Sequence, residues 1–316
     1  MIIQTGQRTD IPAFYSEWFA NRLKEGYVLV RNPFNPISVT RYELNPDVVD
    51  IIGFCTKNPS PIFKYLDLLN SYNQYWFVTI TPYGKDIEPY VPDKSRVMED
   101  FKRLSDVVGI NCIAWRYDPI ILNDNWTINR HYEEFEKMAE ALSGCTEVCV
   151  ISFIDLYKKV KSNYPEIKEI GFDTQLAMTD RFVRIAKKYG MIIRPCGESP
   201  NLQAVGADCS GCMTIRVFEE AIGCKINAPA NPKNRKECAC YITGDIGQYN
   251  TCGHLCKYCY ANADAGRVRK NMSEHDPASP LLIGHLNSED EIHIAKQVRW
   301  IEKQMKLDFL SIDMGK

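Results

Sequence analysis

The sequence has no window approaching the ~18 consecutive apolar residues of a membrane-crossing helix. Its first residues, Met1-Ile2-Ile3-Gln4-Thr5, show no charged stretch followed by a long apolar run, so a signal peptide is not expected. A charge excess is also missing. The formal net charge is −2, which removes the global electrostatic footprint of a nucleic-acid binder and leaves only a local basic groove open. Neither an internal repeat nor a low-complexity linker divides the chain. With 316 residues and a hydrophobic fraction of 45%, there is ample material for a large core. One barrel-sized domain or two smaller domains would both suit that length. The expectation is a cytoplasmic protein with no membrane partner.

What is abundant is cysteine, 13 in all. In a chain without an export signal they point to a reducing compartment and to metal-bound or free thiols, and a disulfide framework is not expected. Three of them stand at C-x3-C-x2-C spacing in Cys252-Gly253-His254-Leu255-Cys256-Lys257-Tyr258-Cys259, with an aromatic residue directly before the third. Three thiolates in one short loop can hold three corners of a [4Fe–4S] cluster, whose ordinary complement is four. The missing fourth leaves one iron open to a small molecule. A structural zinc site normally has four protein ligands, often as two separated C-x2-4-C pairs. Zinc would need His254 or a remote cysteine to complete a tetrahedron here. The iron–sulfur reading is the better match.

A second group precedes the loop: Cys196, Cys209, Cys212, Cys224, Cys238 and Cys240, the last two beside Arg235 and Lys236. Basic neighbours favour thiolates. From this set Cys196, Cys212, Cys238 and Cys240 are predicted to hold an auxiliary iron–sulfur cluster or a zinc ion, with ordinary buried thiols as the alternative. Cys224 reads as a plain helix-end thiol. Cys55, Cys112, Cys145 and Cys149 lie on or near apolar strands and read as core.

Apolar or β-branched runs at 2–6, 27–30, 49–54, 76–81, 112–115, 148–153, 191–194 and 244–248 alternate with amphipathic stretches. Residues 38–43 read as the returning arm of a hairpin, after a turn cluster at 32–36. Strand–helix alternation predicts parallel strands with crossover helices. Eight beats predict an α/β fold of the (β/α)8 TIM-barrel kind, with a doubly wound sheet as the alternative. The expected organisation is a single domain over 1–316, with a Cys-rich metal-binding region at about 196–262. Polar residues follow nearly every predicted strand: Arg8, Asp10, Arg31, Asn32, Lys57, Asn58, Arg116, Asp118, Asp155 and Glu198. In a barrel those strand ends converge on one face and would form a polar cup.

Two resemblances extend these readings. The cysteine loop resembles the cluster loop of radical S-adenosylmethionine (SAM) enzymes. That implies a [4Fe–4S] cluster on Cys252, Cys256 and Cys259, SAM on the open iron, and cleavage of SAM to a 5′-deoxyadenosyl radical. It also implies an electron donor such as flavodoxin or ferredoxin, and a substrate that the residues do not name. The phrases Arg8-Thr9-Asp10-Ile11-Pro12, Asn32-Pro33-Phe34-Asn35-Pro36, Thr56-Lys57-Asn58-Pro59, Trp115-Arg116-Tyr117-Asp118-Pro119 and Asp245-Ile246-Gly247-Gln248 are similar to those of an uncharacterised bacterial family, a domain of unknown function. Arg235-Lys236-Glu237-Cys238 belongs to the same set. The similarity runs to about Leu282.

Radical SAM domains carry the cluster loop after the first strand, whereas here it follows the last. A circular shift reconciles the two, with 244–248 as the first strand and 2–5 as the second. Under it the resemblance implies cofactor contacts from Thr5, Gly6, Gln7, Lys57, Asn58 and Arg116, with Tyr258 beside the adenine. The competing classes are a non-catalytic zinc or iron–sulfur protein and, by a shorter resemblance to spore-photoproduct-lyase-like proteins, a nucleic-acid repair enzyme. The last has only Arg267, Arg269 and Lys270 as a basic hint.

Overall fold

Alternate residues along each buried strand face opposite ways, and here both faces are covered. The computed structural model describes residues 1–230, 238–241 and 243–301. In chain order the elements are β1 (Ile2–Gln4), α1 (Ile11–Phe14), α2 (Ser16–Glu25), β2 (Tyr27–Arg31), β3 (Ser38–Glu43), β4 (Ile51–Thr56), β5 (Gln74–Thr79), α3 (Lys94–Val108) and β6 (Ile113–Ile120). There follow α4 (Ile128–Ala141), β7 (Val148–Phe153), α5 (Lys158–Asn163), α6 (Phe172–Lys188), β8 (Ile192–Pro195), α7 (Ile215–Ile222), β9 (Gly244–Asp245), α8 (Ala265–Ser273) and β10 (Glu291–Ile294).

Seven strands form one sheet in the order β8-β7-β6-β5-β4-β1-β9, and every pair in it is parallel. Trp76, Val78, Trp115, Tyr117 and Ile151 face the helical layer, meeting Phe101 of α3, Phe135 of α4 and Phe182 of α6 in the main core. Phe54 and Trp76, neighbours on β4 and β5, stack at 3.8 Å. The other face carries Ile2, Ile51, Tyr75, Phe77, Ala114 and Val150. They pack against Met213, Val217, Phe218 and Tyr241 from the long stretch between β8 and β9. Strands buried on both sides read as continuous apolar runs, and that is why the runs were visible in the sequence.

The mixed α/β architecture agrees with the expectation; the eight-membered count does not. The predicted second beat, β2, leaves the main sheet. It pairs antiparallel with β3 in a three-stranded sheet of order β10-β3-β2. Arg31 and Asn32 leave the predicted cup with it. Arg31 Nη2 donates to Asp290 Oδ2 at 2.8 Å, and Asn32 accepts from the Phe34 backbone. The last strand is also shorter than expected, Gly244–Asp245. Among the described residues no ladder joins β8 to β9, so the sheet has two edges where a closed barrel would have none. No helix among the described residues is long and apolar enough to cross a membrane.

Local signals set the first helices. The Asp10 side chain accepts from Ala13 N, Pro12 sits in the first turn of α1, and α2 ends at Gly26, whose φ of 78° is left-handed. The Thr214 hydroxyl caps the start of α7 at Ile215.

Candidate functional site

On the face opposite the helices, the alternation that buries apolar residues low on each strand turns polar residues inward at its end. Ile51 is followed on that face by Cys55, Phe77 by Thr79, Ala114 by Arg116 and Asp118, and Val150 by Ser152. These residues line a cavity of about 310 Å³, within the range of small-molecule sites of about 300–1,000 Å³. Residues that follow the two edge strands meet there: Cys196 comes after β8, and the loop containing Cys252, Cys256 and Cys259 comes after β9.

The cysteine loop is held from several sides. Tyr15 donates its hydroxyl to Thr251 O at 2.7 Å, and Asn262 Nδ2 donates to Cys252 O at 2.9 Å. Lys257 N donates to Ile87 O at 3.0 Å, and Leu255 adopts a left-handed φ of 53°. Ala261 N lies 3.3 Å from Cys259 Sγ as a donor. Burial pushes all three thiols up, Cys256 to about 12 with Glu88 adding to the effect. A thiolate here therefore requires a positive partner, and metal ligation supplies one. The three sulfurs do not form a group compact enough for one ion, whereas Cys196, Cys212 and Cys240 do. His254, considered as a fourth zinc ligand, lines the cavity with both ring nitrogens engaged: Nε2 is 3.0 Å from Asp10 Oδ2 and Nδ1 is 3.3 Å from Tyr90 O.

Beside the loop lies a fully buried carboxylate, Glu88. Lys57 Nζ is 2.8 Å from its Oε1, Thr81 donates at 2.5 Å, and Lys94 and the Tyr258 hydroxyl also bond to it. Burial alone would push this carboxyl up, but the two ammonium groups outweigh it and hold it down at about 2. Two cations against one carboxylate leave the corner positive. Lys57 also lies 5.6 Å from the Tyr258 ring centroid. Across the cavity Arg116 pairs with Asp118, which in turn accepts from Ser152. Arg116 Nη2 lies 3.9 Å from Cys196 Sγ, and its buried Nε has no partner among the described residues. At the rim Arg8 pairs with Asp245 at 2.7 Å, and Tyr260 donates to Gln7 O at 2.6 Å.

Gly6, Gln7, Lys57, Arg116 and Tyr258 all line this cavity, together with Cys196, Cys212, Cys238, Cys240 and the three loop cysteines. Thr5 and Asn58 do not. Thr5 is buried with its hydroxyl donating to Gly53 O at 3.2 Å, and Asn58 Oδ1 accepts from Ser60 N at the start of a short 3-10 helix. Cys55, read as core, instead stands on the cavity wall beside Arg116. Glu88 and Lys94 carried no sequence signal, because an isolated acid between Ile87 and Pro89 gains its meaning only from partners elsewhere in the chain. Arg235 and Lys236 lie outside the described residues. On α8, Arg267 and Lys270 pair with Asp264 and Glu274 as solvated surface.

Comparison with family models matches residues 2–261 to one described as Domain of unknown function (DUF1848). That span takes in both cysteine groups and all seven strands of the main sheet. No curated protein matches the chain.

Proposed function

We propose that this chain, which belongs to the DUF1848 family, is a radical SAM enzyme whose substrate enters the cavity at the strand ends of the main sheet. The observation that carries the reading is a loop that itself holds three cysteines and opens into a cavity lined by the ends of parallel strands. The donor set fits a [4Fe–4S] cluster. Its sulfurs do not form a compact single-ion group, the Ala261 N–H reaches Cys259, and both ring nitrogens of His254 have other partners. The strand order β9-β1-β4-β5-β6-β7-β8 is what an open, circularly shifted radical SAM barrel would have, with β9 in first place and the cluster loop directly after it.

Cys252, Cys256 and Cys259 would hold the cluster. When bound, that cluster supplies the electron that splits SAM into methionine and a 5′-deoxyadenosyl radical. The chain's own part is to bind, orient and shield. Lys57 on the cavity wall, and the Arg116 guanidinium, suit a ligand carboxylate. Asp118, with the Gly6–Gln7 backbone, suits an amine. Tyr258, locked by Glu88, forms an apolar wall beside Cys256. A low-potential flavodoxin or ferredoxin would deliver the electron. A non-catalytic zinc or iron–sulfur module is the competing reading, but it needs neither a vacant ligand position nor a cavity of this size.

The test is anaerobic purification with iron and sulfide counting, followed by reduction with dithionite in the presence of SAM. About four irons bound through the loop, and release of 5′-deoxyadenosine, would support the proposal. Stoichiometric zinc without iron, or no 5′-deoxyadenosine from the reduced protein, would sink it.

A further inference from the structure

The cavity also holds a cysteine group that this radical chemistry does not use. Cys196 follows β8, Cys212 stands where the next segment settles onto the inner face of the sheet, and Cys238 and Cys240 lie just ahead of β9. The sulfurs of Cys196, Cys212 and Cys240 all lie within 4.8 Å of one another, with Cys212 and Cys240 at 3.3 Å. Four zinc–thiolate bonds of ~2.3 Å in a tetrahedron separate their sulfurs by about 3.8 Å. This is the scale of a site for one ion. A [4Fe–4S] cluster, with its irons between the thiolates, spreads them further. Cys238 stands outside that compact group of three, but it touches Cys240 through its side chain and lines the same small pocket.

We infer that Cys196, Cys212, Cys238 and Cys240 bind a single tetrahedral metal ion of the zinc class, in a structural centre separate from the 252–259 loop. The ligands come from both ends of the stretch that crosses from β8 to β9. Tyr241 N donates to Met213 O at 2.7 Å and joins the same two segments. The ion clips this stretch over the inner face, where Met213, Val217 and Phe218 complete the second core. Four thiolates on a dication leave two negative charges. Arg116, 3.9 Å from Cys196 Sγ, offsets part of that charge.

The inference stands apart from the radical assignment, and its test keeps the two separate. The full-length chain carrying Cys252→Ala, Cys256→Ala and Cys259→Ala together is purified, and its zinc, iron and acid-labile sulfide are measured. About one zinc per chain and no sulfide is expected. Co²⁺ exchanged into this variant should show the charge-transfer bands of a tetrahedral tetrathiolate. Adding Cys212→Ser should weaken retention against a chelator at least tenfold. Where that variant does not fold, the cobalt spectrum alone decides. Four irons with four sulfides in the triple variant, no metal uptake by a folded protein, or a Cys212–Cys240 disulfide in non-reducing mass spectrometry would each overturn the assignment. Failure of SAM cleavage in the wild type would leave it standing.

Discussion

The imidazole Nε2 of His254 lies 3.0 Å from Oδ2 of Asp10, both side chains buried. This contact ties the cysteine loop, which follows the last strand of the main sheet, to the first helix of the chain. Asp10 makes two further contacts: Oδ1 accepts from Ala13 N at 3.1 Å, and Oδ2 accepts from Lys57 N at 2.8 Å. Asp10→Ala removes a helix cap, ~1 kcal/mol, and leaves buried donors unpaired at ~1–3 kcal/mol. A loss of about 2–4 kcal/mol is expected, read as a lower urea midpoint with unchanged slope. An unchanged midpoint would show that the loop is anchored elsewhere.

Glu88 makes a prediction with a sign. Its carboxyl is held at about 2 against an ordinary 4.5, so it contributes stability that is complete above pH 4.5 and is lost as pH falls toward 2. Glu88→Gln strands two buried ammonium groups and should cost about 3–5 kcal/mol at neutral pH. Acid titration of stability is the check. The variant should lose less than the wild type between those two pH values, and parallel curves would contradict the ion-pair account.

Gly6 is a third case. A Cβ there would stand 2.4 Å from both Cys55 Cβ and Cys55 O, and the carbonyl belongs to a paired strand that cannot yield. Gly6→Ala should force β1 and β4 apart at the cavity wall, costing about 1–3 kcal/mol. Thermal unfolding measures this, with Gly26→Asn, at a left-handed turn open to solvent, as a tolerated comparison.

The fourth concerns SAM. A charge-assisted contact contributes ~1.5–3 kcal/mol, so Lys57→Ala and Arg116→Ala in the reconstituted protein should each weaken SAM affinity about tenfold or more, with iron content retained. Equal affinity in both variants would leave these residues as wall ion pairs with Glu88 and Asp118.

The strands of the main sheet were readable because double-sided burial writes itself as an unbroken apolar run, as in Tyr75-Trp76-Phe77-Val78. The same rule explains why β2 was misassigned. Val28 and Leu29 point to opposite faces and are both buried, so the run reads like a strand of the main sheet although β2 pairs antiparallel with β3 outside it. β10 was missed because Glu291-Ile292-His293-Ile294 is exposed along its whole length. In the site, the cysteine spacing and the basic residues Lys57 and Arg116 were legible as local patterns. Glu88 was not, since its burial is produced by Lys57, Lys94 and Tyr258 from three distant segments. Cys55 was misread because an apolar strand neighbour implies core, whereas its inward direction at the strand's end is fixed by pairing across β4, β5 and β6.

The pairing of β9 with β1 also sets an order of events in synthesis. β1 leaves the ribosome before the other strands of the main sheet and receives its outer neighbour last, after residue 245 is made. At about 5–20 residues per second, its open edge waits for on the order of ten to fifty seconds. An open parallel edge is a template for pairing with another chain, so the nascent protein passes through a long period in which chaperone cover matters. Every ligand of the proposed cluster emerges later still. Loading with iron is therefore confined to a chain whose remaining six strands are already in place, and a translation arrest before residue 244 releases a sheet with no means of holding the cluster.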